Sequence, residues 1–384
     1  DKVCDQISDA ILDEFLKQDE DSKVAVECFI TNNMLVIGGE AHSNATVDII
    51  GTAKKVLEEI GYNGTNGFNP ETAVFINTLH EQSSDIRQGV DREEKEEQGA
   101  GDQGIMFGYA CNETKQYMPA AIVLANTTMQ VYDKLRKEGK LNGCRPDAKC
   151  QYTLRYENGK PKEIAKILIS MQHDPNIFWS MLHDYMTDKI IPEVKKELPE
   201  LEYLFTDSCE ILINPTGKFV IGGPEGDTGL TGRKIIVDTY GGMCAHGGGA
   251  FSGKDSSKVD RSAAYAARYI SKNIVASGLA DECTVQLSYA IGMAEPQSIY
   301  IETDEGHRYS QEKLVEMVRK IFPIRPYDVI EKFQLKHPIY KQTSTYGHFG
   351  RNTGVIYGVY PFLVRTFTWE ETDKISDIQK YIKG

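Results

Sequence analysis

Apolar positions along this chain follow two periods, and they alternate in a repeating order. Val3, Ile7, Ala10, Ile11 and Phe15 are spaced for one face of a helix, with Asp1 placed as its N-cap. Val24, Val26, Cys28 and Ile30 then alternate as one face of a strand over 23–30, the turn-forming pair Asn32-Asn33 follows, and a second extended run covers 34–40. Val47, Ile50, Ala53, Val56, Leu57 and Ile60 mark another helix, which Gly61 ends. The order helix, strand, strand, helix returns as a helix over 120–137, strands over 151–156 and 163–171, and a helix over 176–197. It returns once more as 261–275, 283–291, 298–302 and 311–322. Three copies predict three similar α+β units built on mixed or antiparallel sheets, each with helices on one face. The opposite sheet faces then need cover from other units or from a second subunit.

Composition narrows the class. A chain of 384 residues suits two or three domains, and 40% hydrophobic with 26% charged residues is ordinary for a globular protein. No apolar run approaches the roughly 18 residues of a membrane span. The formal charge of −13 argues against a general nucleic-acid or anionic-membrane binder, so a phosphate site here would be a local patch and its partner a small molecule. Eight cysteines form no Cys-x-x-Cys pair and no zinc spacing, reading as reduced thiols. With no signal or transit segment apparent, the expected compartment is the cytoplasm.

One stretch breaks the periodic pattern. Between Gly217 and Gly253 lie 12 of the 34 glycines, interleaved with Lys218, Arg233, Lys234, Lys254 and Lys258 and with Asp227, Asp238, Asp255 and Asp260. Glycine permits φ > 0 and close backbone approach, and bared N–H groups beside cations form an anion-binding concavity. A polyphosphate suits it. Carboxylates among those cations make sense as Mg²⁺ ligands, because Mg²⁺ joins one or two carboxylates to phosphate oxygens. Residues 248–254 fit the Gly-x4-Gly-Lys part of a P-loop, but Asp255 stands where a Ser or Thr hydroxyl is required, so the P-loop label fails. Turns between short strands, with solvated charges at their tips, are the plainer alternative.

GGPEGDTGLTGRKIIVDTYGG at 222–242, GGGAFSGKDSSKVDRSAAYAARY at 247–269 and GAGDQGIMFGYA at 99–110 resemble the signature sequences of the S-adenosylmethionine synthetases, a likeness that runs from Asp1 to about Phe349. The resemblance implies three α+β domains with pseudo-threefold symmetry, assembled from separated segments: a central domain of 1–91 plus 223–262, an N-terminal-type domain of 114–222, and a C-terminal domain of 92–113 plus 263–384. It implies attack of methionine sulfur on C5′ of ATP, with the expelled triphosphate cut to pyrophosphate and phosphate. It also implies Mg²⁺, two per site, an activating K⁺, and homodimers, alone or paired into tetramers, with sites shared between subunits.

Matched position by position, the resemblance gives Asp1 and Asp260 as Mg²⁺ ligands and Glu27 as the K⁺ ligand. Glu40 and Gln82 match methionine contacts, Asp227 and Lys258 the junction of methionine and nucleotide. Asp147, Lys149, Lys218 and Phe219 match nucleotide contacts, Ala250 lies with them, and Arg233, Lys234 and Lys254 match triphosphate ligands. Lys2, Asp102, Arg233 and Lys254 form the catalytic set. Without the match, Asp1 and Asp260 read equally well as helix caps, Glu27 as an outward acid on a strand, and Glu40 and Gln82 as surface. His246, His337 and His348 read as packing or surface histidines. The polar loop 82–92 matches a flexible lid. Two departures stand out. The apolar run 352–366 is longer than the family's link and reads as added packing around the carboxy-terminal domain. The family's catalytic His-Pro, expected directly before Asp1, is not in the sequence. Two competing functions remain at this level: a Mg²⁺-dependent nucleotide or polyphosphate hydrolase, which needs no methionine pocket, and a non-catalytic nucleotide-binding protein.

Overall fold

The computed structural model describes residues 1–64, 67–82, 94–304, 309–356 and 363–383. The lid expected over 82–92 lies outside the described residues apart from Gln82.

The first unit follows the periodicity closely. A helix, α1 (Lys2–Gln18), precedes strands β1 (Lys23–Thr31) and β2 (Met34–His42), and a second helix, α2 (Ile49–Ile60), ends at Gly61 with φ of 111°. Only glycine adopts that left-handed conformation without strain. Asp48 caps α2 by accepting from the Gly51 N–H, whereas Asp1 occupies the N-cap position of α1 but makes no capping bond with its side chain. β1 and β2 pair antiparallel in continuous register from Lys23↔His42 to Thr31↔Met34. Two short strands the periodicity missed, β3 (Val74–Asn77) and β4 (His80–Glu81), run parallel to β2.

The second unit pairs long strands β6 (Cys144–Glu157) and β7 (Lys160–His173), with β8 (Glu210–Ile213) parallel to β7. The helix Ala120–Lys137 packs on β6. The expected helix over 176–197 begins at Trp179 and widens to a π-turn over Tyr185–Ile190 before Ile191–Glu197. Pro192 explains the widening, because it lacks the N–H for the ordinary i→i−4 bond and its ring crowds the preceding turn. In the third unit β10 (Glu282–Tyr289) lies between β11 (Ser298–Thr303) and β5 (Gly104–Cys111). The helix Val259–Ala276 covers this sheet, and the helix Gln311–Ile321 packs against β11. All three sheets therefore carry helices on one face, and the chain consists of three similar α+β domains.

Two crossings of the chain place the glycine-rich stretch. β5 precedes the second unit in sequence but pairs in the third sheet, while β9 (Gly229–Leu230) follows the second unit and pairs with β1 of the first, Phe29 opposite Leu230. The apolar run 352–366 contributes a small hairpin, β12 (Gly354–Ile356) with β13 (Val364–Thr366), on either side of residues that lie outside the description.

Candidate functional site

β2 occupies one edge of β1, and both glycine loops lie along the other. At its C-terminal half, Gly229 to Thr231 pairs with β1: Thr231 donates its N–H to the Cys28 carbonyl at 3.1 Å, and its Oγ1 accepts from the Cys28 N–H at 2.9 Å. At the N-terminal half, Val26 donates to the Gly253 carbonyl at 3.0 Å and Asp255 donates to the Val24 carbonyl at 3.0 Å, with Lys254 bridged to Ala25. A Cβ on Gly253, whose φ is 81°, would lie 2.0 Å from the Val26 carbonyl oxygen, so only glycine lets this loop approach the strand. Gly232 serves the same purpose between the loops, since a Cβ there would meet that of Ala250 at 2.4 Å.

The cations and carboxylates of the stretch interlock across this edge. Asp1 accepts from the Leu230 N–H at 3.0 Å through Oδ1 and holds the Lys234 ammonium through Oδ2. Asp260, in the first turn of its helix, pairs with Lys254 at 2.6 Å. Neither side chain is a helix cap, so that alternative is corrected for both: Asp1 is turned toward Lys234 of a distant segment, and Asp260 toward Lys254 of the loop that leads into its own helix. Arg233 stands exposed beside Lys234. Lys2 donates to Asp238 and to the Ser344 carbonyl at 2.9 Å, and pairs with Asp5 at 2.9 Å. Burial opposes the Lys2 charge, but Asp238 and Asp5 prevail and raise its pKa. Burial pushes the Asp238 carboxyl up to about 6 against the pull of Lys2.

Asp238 and Asp255, which stand among the same cations in the sequence, differ from Asp260 in burial. Both are buried and occupied: Asp238 by Lys2, and Asp255 by the N–H groups of Val24 at 2.7 Å and Ser257 at 2.8 Å and by Lys258 at 2.6 Å. Burial works against the Asp255 charge, yet Lys258 and Lys23 hold its pKa down at about 2. Lys258 is thereby tied to its own loop. The loop carrying exposed Asp102 docks beside it, through a Gly101 N–H to Ser257 carbonyl bond of 3.2 Å.

The remaining matched residues fall into two neighbouring groups. Glu40 is paired in register with Ala25, which on its other side meets Lys254, so Lys254 and Glu40 flank one residue of β1 at about 10 Å across two strand spacings. Gln82 continues from β4 by donating to the Ala41 carbonyl at 3.2 Å, and Glu27 is exposed on the same face of β1 as Ala25. At the second sheet Asp147 accepts from the Gly223 N–H at 2.9 Å, and a Cβ on Gly222 would touch the Phe219 ring at 2.8 Å and Asp147 at 3.1 Å. The Phe219 N–H donates to His173 Nε2 at 3.1 Å, which fixes the ring's backbone. Lys149, Lys218 and Asp227 are exposed on the segments around this group.

Sequence reasoning overlooked the buried supports. Arg261 grips Asp9 with two bonds of 2.8 and 3.0 Å and also reaches the Phe251 and Lys254 carbonyls, anchoring the glycine loop from beneath. His348 is fully buried, its Nδ1 at 2.7 Å from the Tyr265 hydroxyl, and burial drives its pKa well below the usual histidine value. His246 is half-buried and accepts from the Gly248 N–H, and His337 is half-buried, in keeping with packing roles.

The chain thus combines three α+β units with a patch along one edge of β1 where lysines pair with aspartates on glycine-rich backbone. Models of the N-terminal, central and C-terminal domains of S-adenosylmethionine synthetase match residues 1–84, 97–219 and 221–359. A similar protein, the S-adenosylmethionine synthase of Porphyromonas gingivalis, is 48% identical over 409 aligned positions that cover 99% of this chain and 95% of that protein. The chain belongs to the S-adenosylmethionine synthetase family, whose members use ATP and methionine and are metal-dependent. It is a methionine adenosyltransferase, and the hydrolase and non-catalytic readings are not favoured. Among the described residues no helix is long and apolar enough to cross a membrane.

Proposed function

We propose that the patch along β1 binds the triphosphate of ATP and drives its departure from C5′ as methionine sulfur attacks. The observation that carries this reading is the pair of lysine–aspartate contacts, Lys234 with Asp1 and Lys254 with Asp260. Each lysine matched to the triphosphate neutralises a carboxylate matched to Mg²⁺. A metal-bound polyphosphate can replace both contacts at once, the lysines turning to phosphate oxygens and the aspartates to the metal, without leaving a charge unpaired. Among the described residues no three His, Cys, Asp or Glu side chains converge on one point. Single carboxylates beside phosphate-binding cations are the donor set suited to Mg²⁺, which completes its shell with water and phosphate. Asp1 and Asp260 would hold it, two ions per site, and Glu27 would hold K⁺. Bound there, Mg²⁺ neutralises charge developing on the triphosphate.

A thioether needs no base, so the protein's work is alignment and charge stabilisation. Glu40 and Gln82 orient methionine, with the Glu40 carboxylate facing its ammonium. Phe219 stacks on the adenine, while Asp147, Lys149 and Lys218 hold the nucleoside and Ala250 lines its path. Asp227 and Lys258 stand where the two substrates meet. Lys2, Asp102, Arg233 and Lys254 act at the reacting atoms and the departing oxygen. Incubation with ATP, Mg²⁺ and K⁺, with and without methionine, tests this by mass spectrometry. A sulfonium product that requires methionine is expected, and ATP hydrolysis at full rate without methionine or sulfonium would overturn it.

The same reading divides the chain into 1–91 plus 223–262, 114–222, and 92–113 plus 263–384, supported by β9 pairing in the first sheet and β5 in the third. It assigns a cytoplasmic enzyme acting as a homodimer or a dimer of dimers. Apolar residues on the open faces of the first and third sheets favour such cover: Val74 is 56% exposed, Ile105 46% and Tyr300 45%.

A further inference from the structure

From its N-cap onward α1 has an aspartate at every fourth position, Asp1, Asp5, Asp9 and Asp13, so carboxylates recur along one face at roughly 6 Å intervals. Each accepts a backbone N–H from a different point of the chain. Asp1 takes Leu230 at 3.0 Å, Asp5 takes Gly232 at 2.8 Å, Asp9 takes Gly253 at 2.8 Å, and Asp13 takes Tyr340 and Lys341, both at 2.9 Å. The two glycines in this set, Gly232 and Gly253, directly precede Arg233 and Lys254, and both have positive φ. Asp5 and Asp9 are fully buried. A loop left to itself would place its cation with the tolerance of a loop, whereas two loops pinned to one helix inherit the helix's fixed spacing.

We propose that Asp5 is a positioning residue for the reaction: through the Gly232 N–H it sets Arg233 and Lys234 at a fixed separation from Lys254, whose own loop Asp9 pins to the same helix. This rests on the reading of Arg233 and Lys254 as triphosphate ligands. Direct contact between Asp5 and substrate is not part of the idea. The loops also pack on each other at Gly232 and Ala250, so a shift in one is felt by the other.

Asp5→Asn keeps the size of the side chain and tests the clamp, while Asp9→Asn would strand buried Arg261 and is unsuitable. Asp13→Asn, on the same face but pinning a segment without these cations, is the control. Asp5→Asn should lower kcat about tenfold to a hundredfold, as small misplacements of catalytic groups do, with the methionine KM within about threefold. Asp13→Asn should keep kcat within about twofold. In an Arg233→Ala/Lys234→Ala background the Asp5→Asn effect should largely vanish, because its target is gone. A kcat for Asp5→Asn no lower than that of Asp13→Asn, or an undiminished effect in that background, would overturn the inference. If Arg233→Ala alone leaves turnover unchanged, the site reading fails and takes the inference with it. Should Asp5→Asn not fold, Gly232→Ala disturbs the same clamp while leaving the Asp5–Lys2 pair, and normal turnover in that variant would also overturn the proposal.

Discussion

Arg233 and Lys254 differ in how much their environment holds them. Lys254 pairs with Asp260, whereas Arg233 is exposed, yet both are assigned to charge on the departing triphosphate. Replacing either with Ala should cost about 2–4 kcal/mol of transition-state stabilisation, the range for preorganised electrostatic donors. Steady-state kinetics on variants with intact circular dichroism checks this, and unchanged turnover would remove the residue from the mechanism. Asp13 offers a different test. Burial pushes its carboxyl up to about 7, against an unfolded value near 3.9. The native state therefore binds the proton more tightly than the unfolded chain, and this contribution is full below about pH 4 and lost as pH rises through about 7. Chemical denaturation at pH 5 and pH 7.5 should show that stability component, up to a few kcal/mol, in the parent and not in Asp13→Asn. Equal pH dependence in both would refute the assignment to Asp13.

Among the elements, β1 has the greatest responsibility, with β2 on one edge and two glycine-rich loops on the other. Gly253 is a sensitive neighbour of this strand. Gly253→Ala combines a left-handed backbone with a carbonyl contact of 2.0 Å, so it should destabilise the protein by more than about 1 kcal/mol and displace Lys254. Thermal melts and kcat should fall together; a variant as stable and active as the parent would show that the loop does not need this approach. Element existence was readable from period and punctuation at α1, β1, β2 and α2, where Gly61 marks the end of a helix. β9 was not, because two residues carry no period, and Tyr185–Ile190 was not, because a π-turn keeps a helical pattern of side chains.

For the whole molecule, three sheets each covered by helices on one side leave apolar residues on the other, including Val74, Ile105 and Tyr300. A second subunit is the expected cover. Light scattering at micromolar concentration should give at least twice the 43.0 kDa of the chain, and a mass of one chain would refute a shared interface.

What the sequence determined alone is what depends on neighbours in the chain: the three-fold recurrence of helix and strand periods, the glycine loops, and the residue types that accompany a polyphosphate. The long motifs around 222–269 also carried the family. Tertiary structure alone decided which carboxylates of the glycine-rich stretch are buried. Asp238 and Asp255 look equivalent to Asp260 in the sequence, but they lie buried against Lys2 and Lys258. It also decided that aspartates four residues apart on α1 would pin loops more than 220 positions away. Such contacts join segments whose patterns are independent of one another, and only packing, which removes water from both partners and leaves each N–H with one acceptor in reach, selects the pairing.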